Sequence, residues 1–198
     1  MKEIRSVSFD TSFLLNSKRE VDDVLKLIKR SNIACYVTST VLSELELLRV
    51  NGQISEQLYR LAMSRWNRVK GKVIDFRNRF LATEIKQECV ISMGEHHGVR
   101  PEDIINDCTI LVTSLKNGVD LFLSEDFHFT SKITLEVLED VTNSACTEYH
   151  QMCGEEMYSI DTTTFLEAYK DGTFNLDVVR NRMQNIKKPD KLLKTDSN

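Results

Sequence analysis

Short apolar runs that alternate with longer amphipathic segments restrict the fold of this chain more than any other feature. The runs lie at 4–9, 33–37, 119–124 and 157–160. They contain β-branched and aromatic residues, which is typical of strands, whereas the apolar residues between them recur at helical spacing. Strands that alternate with helices favour a mostly parallel sheet covered on both faces. We therefore predict an α/β fold, a three-layer α/β/α sandwich with extra helices.

The helical segments have recognisable ends. Thr38 or Ser39 can cap one helix, Pro101 suits the first turn of another, and Asn117 with Gly118 ends that helix. The segment Gly71–Phe76 fits either a short strand or a connection. The predicted helices are Lys18–Arg30, Val41–Val50, Ser55–Val69, Asn78–Met93, Pro101–Lys116, Ile133–Met152 and one that contains Phe165, Leu166 and Tyr169.

Charge and hydropathy exclude several classes of protein. A formal net charge of −4 over 198 residues argues against a protein that coats nucleic acid or an acidic membrane, although it leaves room for local basic patches. The N-terminal segment Met1–Arg5 lacks an apolar signal core, and no stretch approaches the roughly 18 apolar residues of a membrane span. We expect a cytoplasmic protein with no membrane partner.

The five cysteines predict neither a disulfide framework nor a zinc site. Their number is odd, and most lie in apolar or helical stretches, as is usual for reduced thiols in the cytosol. No pair has the two-residue spacing of a zinc knuckle, and His96 and His97 have no cysteine partner at a suitable distance along the chain. We expect reduced cysteines and no zinc.

Four acidic residues stand where this fold can bring them together. Asp10 ends the first apolar run, where Asp10-Thr11-Ser12 predicts a polar turn, and Asp126 follows the run at 119–124. Glu44 and Asp107 interrupt largely apolar sides of two predicted helices. Side chains at the carboxyl ends of parallel strands meet at one edge of the sheet. The pattern predicts a carboxylate site for Mg²⁺ or Mn²⁺.

Each of these residues also has a simpler interpretation. An aspartate directly after a strand is commonly a turn former or a helix cap, and this applies to Asp10 taken alone. A glutamate among leucines, such as Glu44, commonly marks the border of an apolar stripe. These interpretations account for each residue singly, but they do not explain why four acidic residues follow one another in the order strand end, helix, helix, strand end.

The motifs around the four residues resemble those of PIN-domain nucleases, including toxin-type members. They are Val7–Ser12, Leu42–Leu45, Asn106–Ile110 and Phe122–Phe129. The resemblance covers about residues 1–171, which implies a PIN-like nuclease domain with helical insertions, followed by a C-terminal helix and charged tail at 172–198. Many members carry another acidic residue beyond the last motif, where this chain has His128.

The resemblance implies a metal-dependent endoribonuclease that acts on single-stranded RNA, in a toxin-like or RNA-processing role. Asp10 and Asp107 would be the principal ligands of Mg²⁺ or Mn²⁺, and Asp126 would complete the set directly or through water. Glu44 would hold a second ion or orient the attacking water. Ser12 and Ser124 either donate to these carboxylates or cap turns.

A basic segment is the candidate RNA-binding surface. Its cations are Arg60, Arg65, Arg68, Lys70, Lys72, Arg77 and Arg79, of which Arg65, Arg68, Lys70, Lys72 and Arg77 are the predicted contacts. Cations beside Trp66 and Phe76 suit attraction of the phosphate backbone and stacking of bases. The alternative is a solvated helix with Trp66 in the core. Lys187, Lys188, Lys191 and Lys194 form a second basic cluster in the tail, at Lys187–Asn198.

Two other functions compete with the nuclease. A phosphatase of the haloacid dehalogenase type also begins with an aspartate at a strand end, but its chemistry needs a second aspartate two residues later, where this chain has Ser12. The other is a catalytically weak PIN-fold scaffold that binds RNA or protein. Members of the family pair as homodimers or with an inhibitory, antitoxin-like partner, and the helix Val41–Val50 or Ser55–Val69 could supply the surface.

Overall fold

A five-stranded parallel sheet forms the centre of the computed structural model, which describes residues 3–170 and 173–185. The strands are β1 (Ser6–Phe9), β2 (Ala34–Thr38), β3 (Lys72–Ile74), β4 (Leu121–Leu123) and β5 (Tyr158–Ile160). Their order across the sheet is β3-β2-β1-β4-β5, and all four neighbouring pairs are parallel. The central strand is therefore β1, with β4 beside it.

Helices cover this sheet on both faces, so the predicted three-layer α/β/α sandwich is confirmed. The helices are α1 (Thr11–Leu15), α2 (Arg19–Arg30), α3 (Ser39–Val50), α4 (Glu56–Val69), α5 (Arg79–His97), α6 (Pro101–Lys116), α7 (Phe127–Thr130), α8 (Lys132–Tyr149), α9 (Thr162–Ala168) and α10 (Leu176–Asn185). A small antiparallel hairpin joins β6 (Tyr169–Lys170) to β7 (Thr173–Phe174). Within the described residues, no helix is both long and apolar enough to cross a membrane.

Most of the predicted elements are present, with ends shifted by a few residues. The undecided segment Gly71–Phe76 contains strand β3 at the edge of the sheet. The predicted polar turn after Asp10 is wrong, because α1 begins at Thr11 and buries Phe13 and Leu14. Four or five residues are too few to show a helical period, which explains why α1 and α7 are not recognisable in the sequence.

The two central strands have no exposed face. Every residue of β1 and β4 is buried, and Val7 and Phe9 pair with Leu121 and Leu123. A parallel sheet covered on both sides has such strands, which read as continuous rather than alternating apolar runs. The pairing continues one step beyond β1, where the backbone N–H of Asp10 donates to the carbonyl of Leu123 at 2.9 Å. Asp10 is therefore the first residue beyond the end of β1, at the edge of the sheet.

Arg65 is a structural residue, so its prediction as an RNA contact is wrong. Its side chain is 1% exposed and donates to the carbonyls of Leu14 at 3.0 Å, Asn16, and Lys18 at 3.4 Å. It also pairs with Asp22 of α2 at 3.2 Å. These carbonyls lie in the last turn of α1 and in the connection between α1 and α2. Arg65 thus ties α4 to the connection between α1 and α2.

Two cysteines also depart from the prediction. Cys146, near the end of α8, and Cys153, in the turn before β5, are joined as a disulfide. The interpretation of all five cysteines as reduced thiols is therefore wrong for this pair, whereas Cys35, Cys89 and Cys108 are free and buried. Two cysteines seven residues apart, one in a helix and one in the turn after it, have no recognisable disulfide signature in a sequence. The predicted tail Lys187–Asn198 lies outside the described residues.

We predict that Arg65→Met destabilises the protein by roughly 2–4 kcal/mol, because it leaves buried carbonyls without a donor and Asp22 without its buried partner. Urea unfolding followed by circular dichroism measures the change. The matched control is Arg60→Met, whose arginine is also in α4 but is 77% exposed and should change stability by no more than about 0.5 kcal/mol. Equal effects of the two substitutions would contradict the assignment.

Candidate functional site

Asp10 occupies the end of the central strand and is almost entirely buried, with 4% of its surface exposed. One oxygen, Oδ2, accepts hydrogen bonds from the hydroxyl of Ser12 at 2.6 Å and that of Ser124 at 2.9 Å. The backbone N–H of Ser12 donates to the same oxygen at 3.3 Å, which makes Asp10 the cap of α1. Burial raises the pKa of Asp10, and these hydrogen bonds act in the opposite direction without cancelling it.

The two serine hydroxyls connect Asp10 to the segment after β4. The Ser12 hydroxyl accepts from the backbone N–H of Glu125 at 3.0 Å, and the Ser124 hydroxyl accepts from that of Asp126 at 3.0 Å. Each hydroxyl has one proton, so donation to Asp10 and acceptance from the backbone fix its orientation. Both serines therefore donate to a carboxylate, Ser124 also caps the turn that leads to Asp126, and together they hold the ends of β1 and β4.

Glu44 reaches this region from α3. The Thr38 hydroxyl caps α3 by accepting from the backbone N–H of Val41 at 3.2 Å, and Glu44 lies one turn further along. Its carboxylate accepts a hydrogen bond from the hydroxyl of Thr11. Burial raises the pKa of Glu44, the bond from Thr11 lowers it, and the negative charge of Asp10 raises it again. Glu44 is thus close enough to Asp10 for their charges to interact.

Asp107 lies in the second turn of α6 and has a strongly perturbed carboxyl group. Burial raises the pKa of Asp107 to about 8, and the negative charges of Asp10, Asp126 and Glu44 contribute to the rise. The carboxyl groups that the sequence distributes over more than 100 residues therefore share one electrostatic environment. No hydrogen bond to the Asp107 side chain occurs among the described residues, so nothing in that part of the chain offsets its loss of hydration by donation.

Asp126 differs from the other three because it already has a strong partner. It caps α7, where its Oδ1 accepts from the backbone N–H of His128 at 2.8 Å, and the same oxygen lies 3.0 Å from the His128 ring. Its side chain is 41% exposed. Its neighbour Glu125 is held elsewhere, because it accepts hydrogen bonds from the backbone N–H and hydroxyl of Thr162 at the start of α9.

The sequence did not indicate Thr11 or Thr162 as partners of acidic side chains. Thr11 directly follows Asp10, and a hydroxyl residue at the start of a helix that begins at the sheet edge was the available signal. Thr162 is the first residue of α9, which is capped by Asp161 through a hydrogen bond from the backbone N–H of Thr164 at 2.7 Å. Both threonines act across elements, which a local pattern does not reveal.

The donor set matches a hard divalent cation in its chemistry. Carboxylate oxygens are the preferred ligands of Mg²⁺ and Mn²⁺, and a cation would relieve the repulsion that raises the pKa of Asp107. Within residues 3–170 and 173–185, however, no three His, Cys, Asp or Glu side chains are close enough to form a ready-made ligand group. The four acids interact through their charges, and a bound cation would draw them nearer.

The four predicted RNA contacts other than Arg65 lie on exposed surface towards the edge strand β3. Arg68 pairs with Asp22 at 3.0 Å and is 43% exposed, whereas Lys70, Lys72 and Arg77 are exposed around β3. Since β3 is two strands from β1, it lies about 10 Å from the strand that carries Asp10. Trp66 is 7% exposed and belongs to the core, in agreement with the alternative interpretation of that residue.

No protein-family model matches this chain, and no curated protein resembles it in sequence.

We predict that the metal-free protein loses stability as the pH rises from about 5 to 8, and that Asp107→Asn reduces this loss. The unfolded chain releases the Asp107 proton near its ordinary pKa of 3.8, whereas the folded protein holds it to about 8. Protonation therefore favours the folded state below pH 8, and its contribution disappears as the pH rises through that value.

Urea unfolding at pH 5, 6, 7 and 8 with a chelator present measures the difference between the two proteins. Asp103→Asn is the matched control, because Asp103 is in the same helix, is 51% exposed and pairs with Arg100. This control should follow the wild-type pH dependence. Parallel pH profiles for Asp107→Asn and the wild type would show that the Asp107 proton does not contribute.

Proposed function

We propose that this protein is a metal-dependent endoribonuclease of the PIN type that hydrolyses phosphodiester bonds in single-stranded RNA. The observation that carries the proposal is the environment of Asp107, where burial, reinforced by the negative charges of Asp10, Asp126 and Glu44, raises the pKa of Asp107 to about 8. Perturbed carboxyl groups grouped at the carboxyl edge of a parallel sheet are typical of a catalytic site. The ordered motifs around these four residues support the assignment to the PIN family.

Mg²⁺ or Mn²⁺, when bound, would supply an activated water and stabilise the charge that develops on the phosphodiester. The protein's part is to hold the ligands. Ser12 and Ser124 direct their protons to Oδ2 of Asp10 and so fix the orientation of this carboxylate. Asp107 of α6 and Glu44 of α3 would contribute further ligands, and Asp126 would add one from the segment after β4.

The state of Asp126 favours a second candidate, a PIN-fold scaffold that binds RNA or protein and cleaves poorly. Its Oδ1 accepts from the backbone N–H of His128 and lies 3.0 Å from the His128 ring, so a cation would have to compete with His128 for this oxygen. A scaffold of this kind would retain the fold and bind a cation through Asp10 and Asp107. Binding without turnover is the result that distinguishes it from the nuclease.

A protein partner also has a candidate surface. On α3, Leu47 is 58% exposed and Val50 is 67% exposed, and Leu47 is a neighbour of Glu44 on the helix surface because it follows it by three residues. Exposed apolar side chains beside a charged site suit either a second copy of the chain or an inhibitory, antitoxin-like protein. Such a partner would cover the approach to Glu44.

We predict that the purified protein cleaves labelled single-stranded RNA with Mg²⁺ or Mn²⁺, and that Asp10→Asn or Asp107→Asn lowers the rate on the order of 10³-fold, because each removes a ligand charge. Circular dichroism and melting temperature check that both variants fold. Asp103→Asn should cleave at the wild-type rate. Single-stranded DNA of the same sequence is the substrate comparison, and a chelator should stop the reaction.

Three results would redirect the assignment. Metal binding by calorimetry without cleavage of RNA or DNA would support the scaffold. Cleavage of DNA alone would retain the chemistry and replace the substrate. Cleavage that survives Asp10→Asn and Asp107→Asn would remove these residues from the reaction and with them the proposed site.

We predict that Lys72→Gln and Arg77→Gln weaken RNA binding and that each lowers the slope of log affinity against log salt by about 0.7, the contribution of one phosphate contact on a single strand. Both side chains are exposed around the edge strand β3. Binding is measured in the Asp10→Asn background, which prevents cleavage. Lys29→Gln is the control, since Lys29 is exposed on α2, and unchanged slopes for Lys72 and Arg77 would exclude this surface.

A further inference from the structure

Two of the three free cysteines lie against each other inside the helical layer. Cys89 of α5 and Cys108 of α6 are both fully buried, and their sulfur atoms are 2.7 Å apart. By comparison, the third free thiol, Cys35, lies 3.5 Å from its nearest acceptor, the carbonyl of Ile33. The Cys89 and Cys108 sulfurs are therefore closer than an ordinary thiol contact in this protein.

This distance needs little change to become a covalent bond. Sulfur atoms in a disulfide are about 2.05 Å apart, so the gap to close is roughly 0.7 Å, which small side-chain rotations can supply. The helices that carry the thiols pack closely against each other. Ile85 and Ile104, each four residues before one of the two cysteines on its helix, are buried as well.

We propose that Cys89 and Cys108 form a second disulfide that links α5 to α6. In this reaction the two thiols lose two protons and two electrons, and a low-molecular-weight disulfide of the glutathione class accepts them and becomes two thiols. The first step is attack of one cysteine thiolate on that disulfide, and the second cysteine then displaces the small thiol. The bond between Cys146 and Cys153 forms by the same chemistry at the surface.

Burial determines when the new bond can form. Attack requires a thiolate, and burial, together with Cys108, raises the pKa of Cys89 well above its ordinary value. The folded protein therefore reacts slowly. The bond forms during folding, while the packing of α5 against α6 is still reversible and the thiols are accessible. Once formed, it is shielded from external thiols, whereas the Cys146–Cys153 bridge has an exposed member in Cys153 and is reduced first.

The location of the bond gives it a consequence for the carboxylate site, although the inference does not depend on the proposed function. Cys108 directly follows Asp107, so a covalent link from Cys108 to α5 would hold the turn of α6 that carries Asp107. The link would close a loop between residues 19 apart in sequence. It would lower the conformational entropy of the unfolded chain, and it would also restrict the movement of this turn in the folded protein.

The direct test is disulfide mapping of the full chain. The protein is denatured, reduced, and refolded either in a glutathione redox buffer or with excess reductant, and free thiols are then alkylated under denaturing conditions. Digestion after glutamate is used because trypsin cleaves poorly at Arg100-Pro101 and would leave both cysteines in one peptide. In the redox buffer we expect the peptide Cys89–Glu95 to be cross-linked to Asp103–Glu125. Recovery of both peptides in alkylated form would overturn the proposal.

Melting temperatures give a second and independent readout. In the background Cys146→Ala with Cys153→Ala, the oxidised protein should melt about 5–10 °C above the reduced protein, as expected for a closed loop of this length. Adding Cys89→Ala or Cys108→Ala should abolish the difference, whereas Cys35→Ala, which removes another buried thiol, should retain it. Each comparison is made within one variant, so the cost of the substituted side chain cancels. Equal melting temperatures in the parent background would overturn the proposal.

Discussion

The buried carboxyl group of Asp10 is the constraint on which the site and its surroundings depend. A carboxylate at the end of the central strand loses most of its hydration, which costs several kcal/mol unless donors or a cation compensate. Ser12 and Ser124 provide part of that compensation and at the same time accept backbone N–H groups from the segment after β4. One group of hydrogen bonds therefore positions the acid and joins two strand ends.

The other acids add charge to the same region rather than relieving it. Asp107 and Glu44 are partly buried, and both have a raised pKa because burial is reinforced by neighbouring negative charge. A protein without a ligand for this region would gain stability by replacing such groups with neutral ones. Their presence is understandable if the region is built to receive positive charge, which connects the electrostatics of the fold to the proposed metal-dependent chemistry.

The accuracy of the sequence-based predictions follows the range of the interactions involved. Strands β1, β2, β4 and β5 were predicted from short apolar runs, and the longer helices were predicted because their apolar period extends over enough residues. Helices α1 and α7 are too short to show a period. In the sequence, Arg65 is one cation of a basic segment. In the fold it is buried against backbone carbonyls at the end of α1 and against Asp22 of α2, which lie 43 to 51 residues earlier in the chain. The disulfide between Cys146 and Cys153 likewise depends on a turn that only the folded chain defines.

The sequence alone determined the α/β class, the order of the elements and the placement of Asp10 and Asp126 at strand ends, because these depend on local hydrophobic period and on the general geometry of parallel sheets. Tertiary structure decided which acids interact, which hydroxyls orient Asp10, and which cations remain on the surface. These outcomes depend on distances between residues far apart in the chain, and such distances are set by how the helices pack on the sheet.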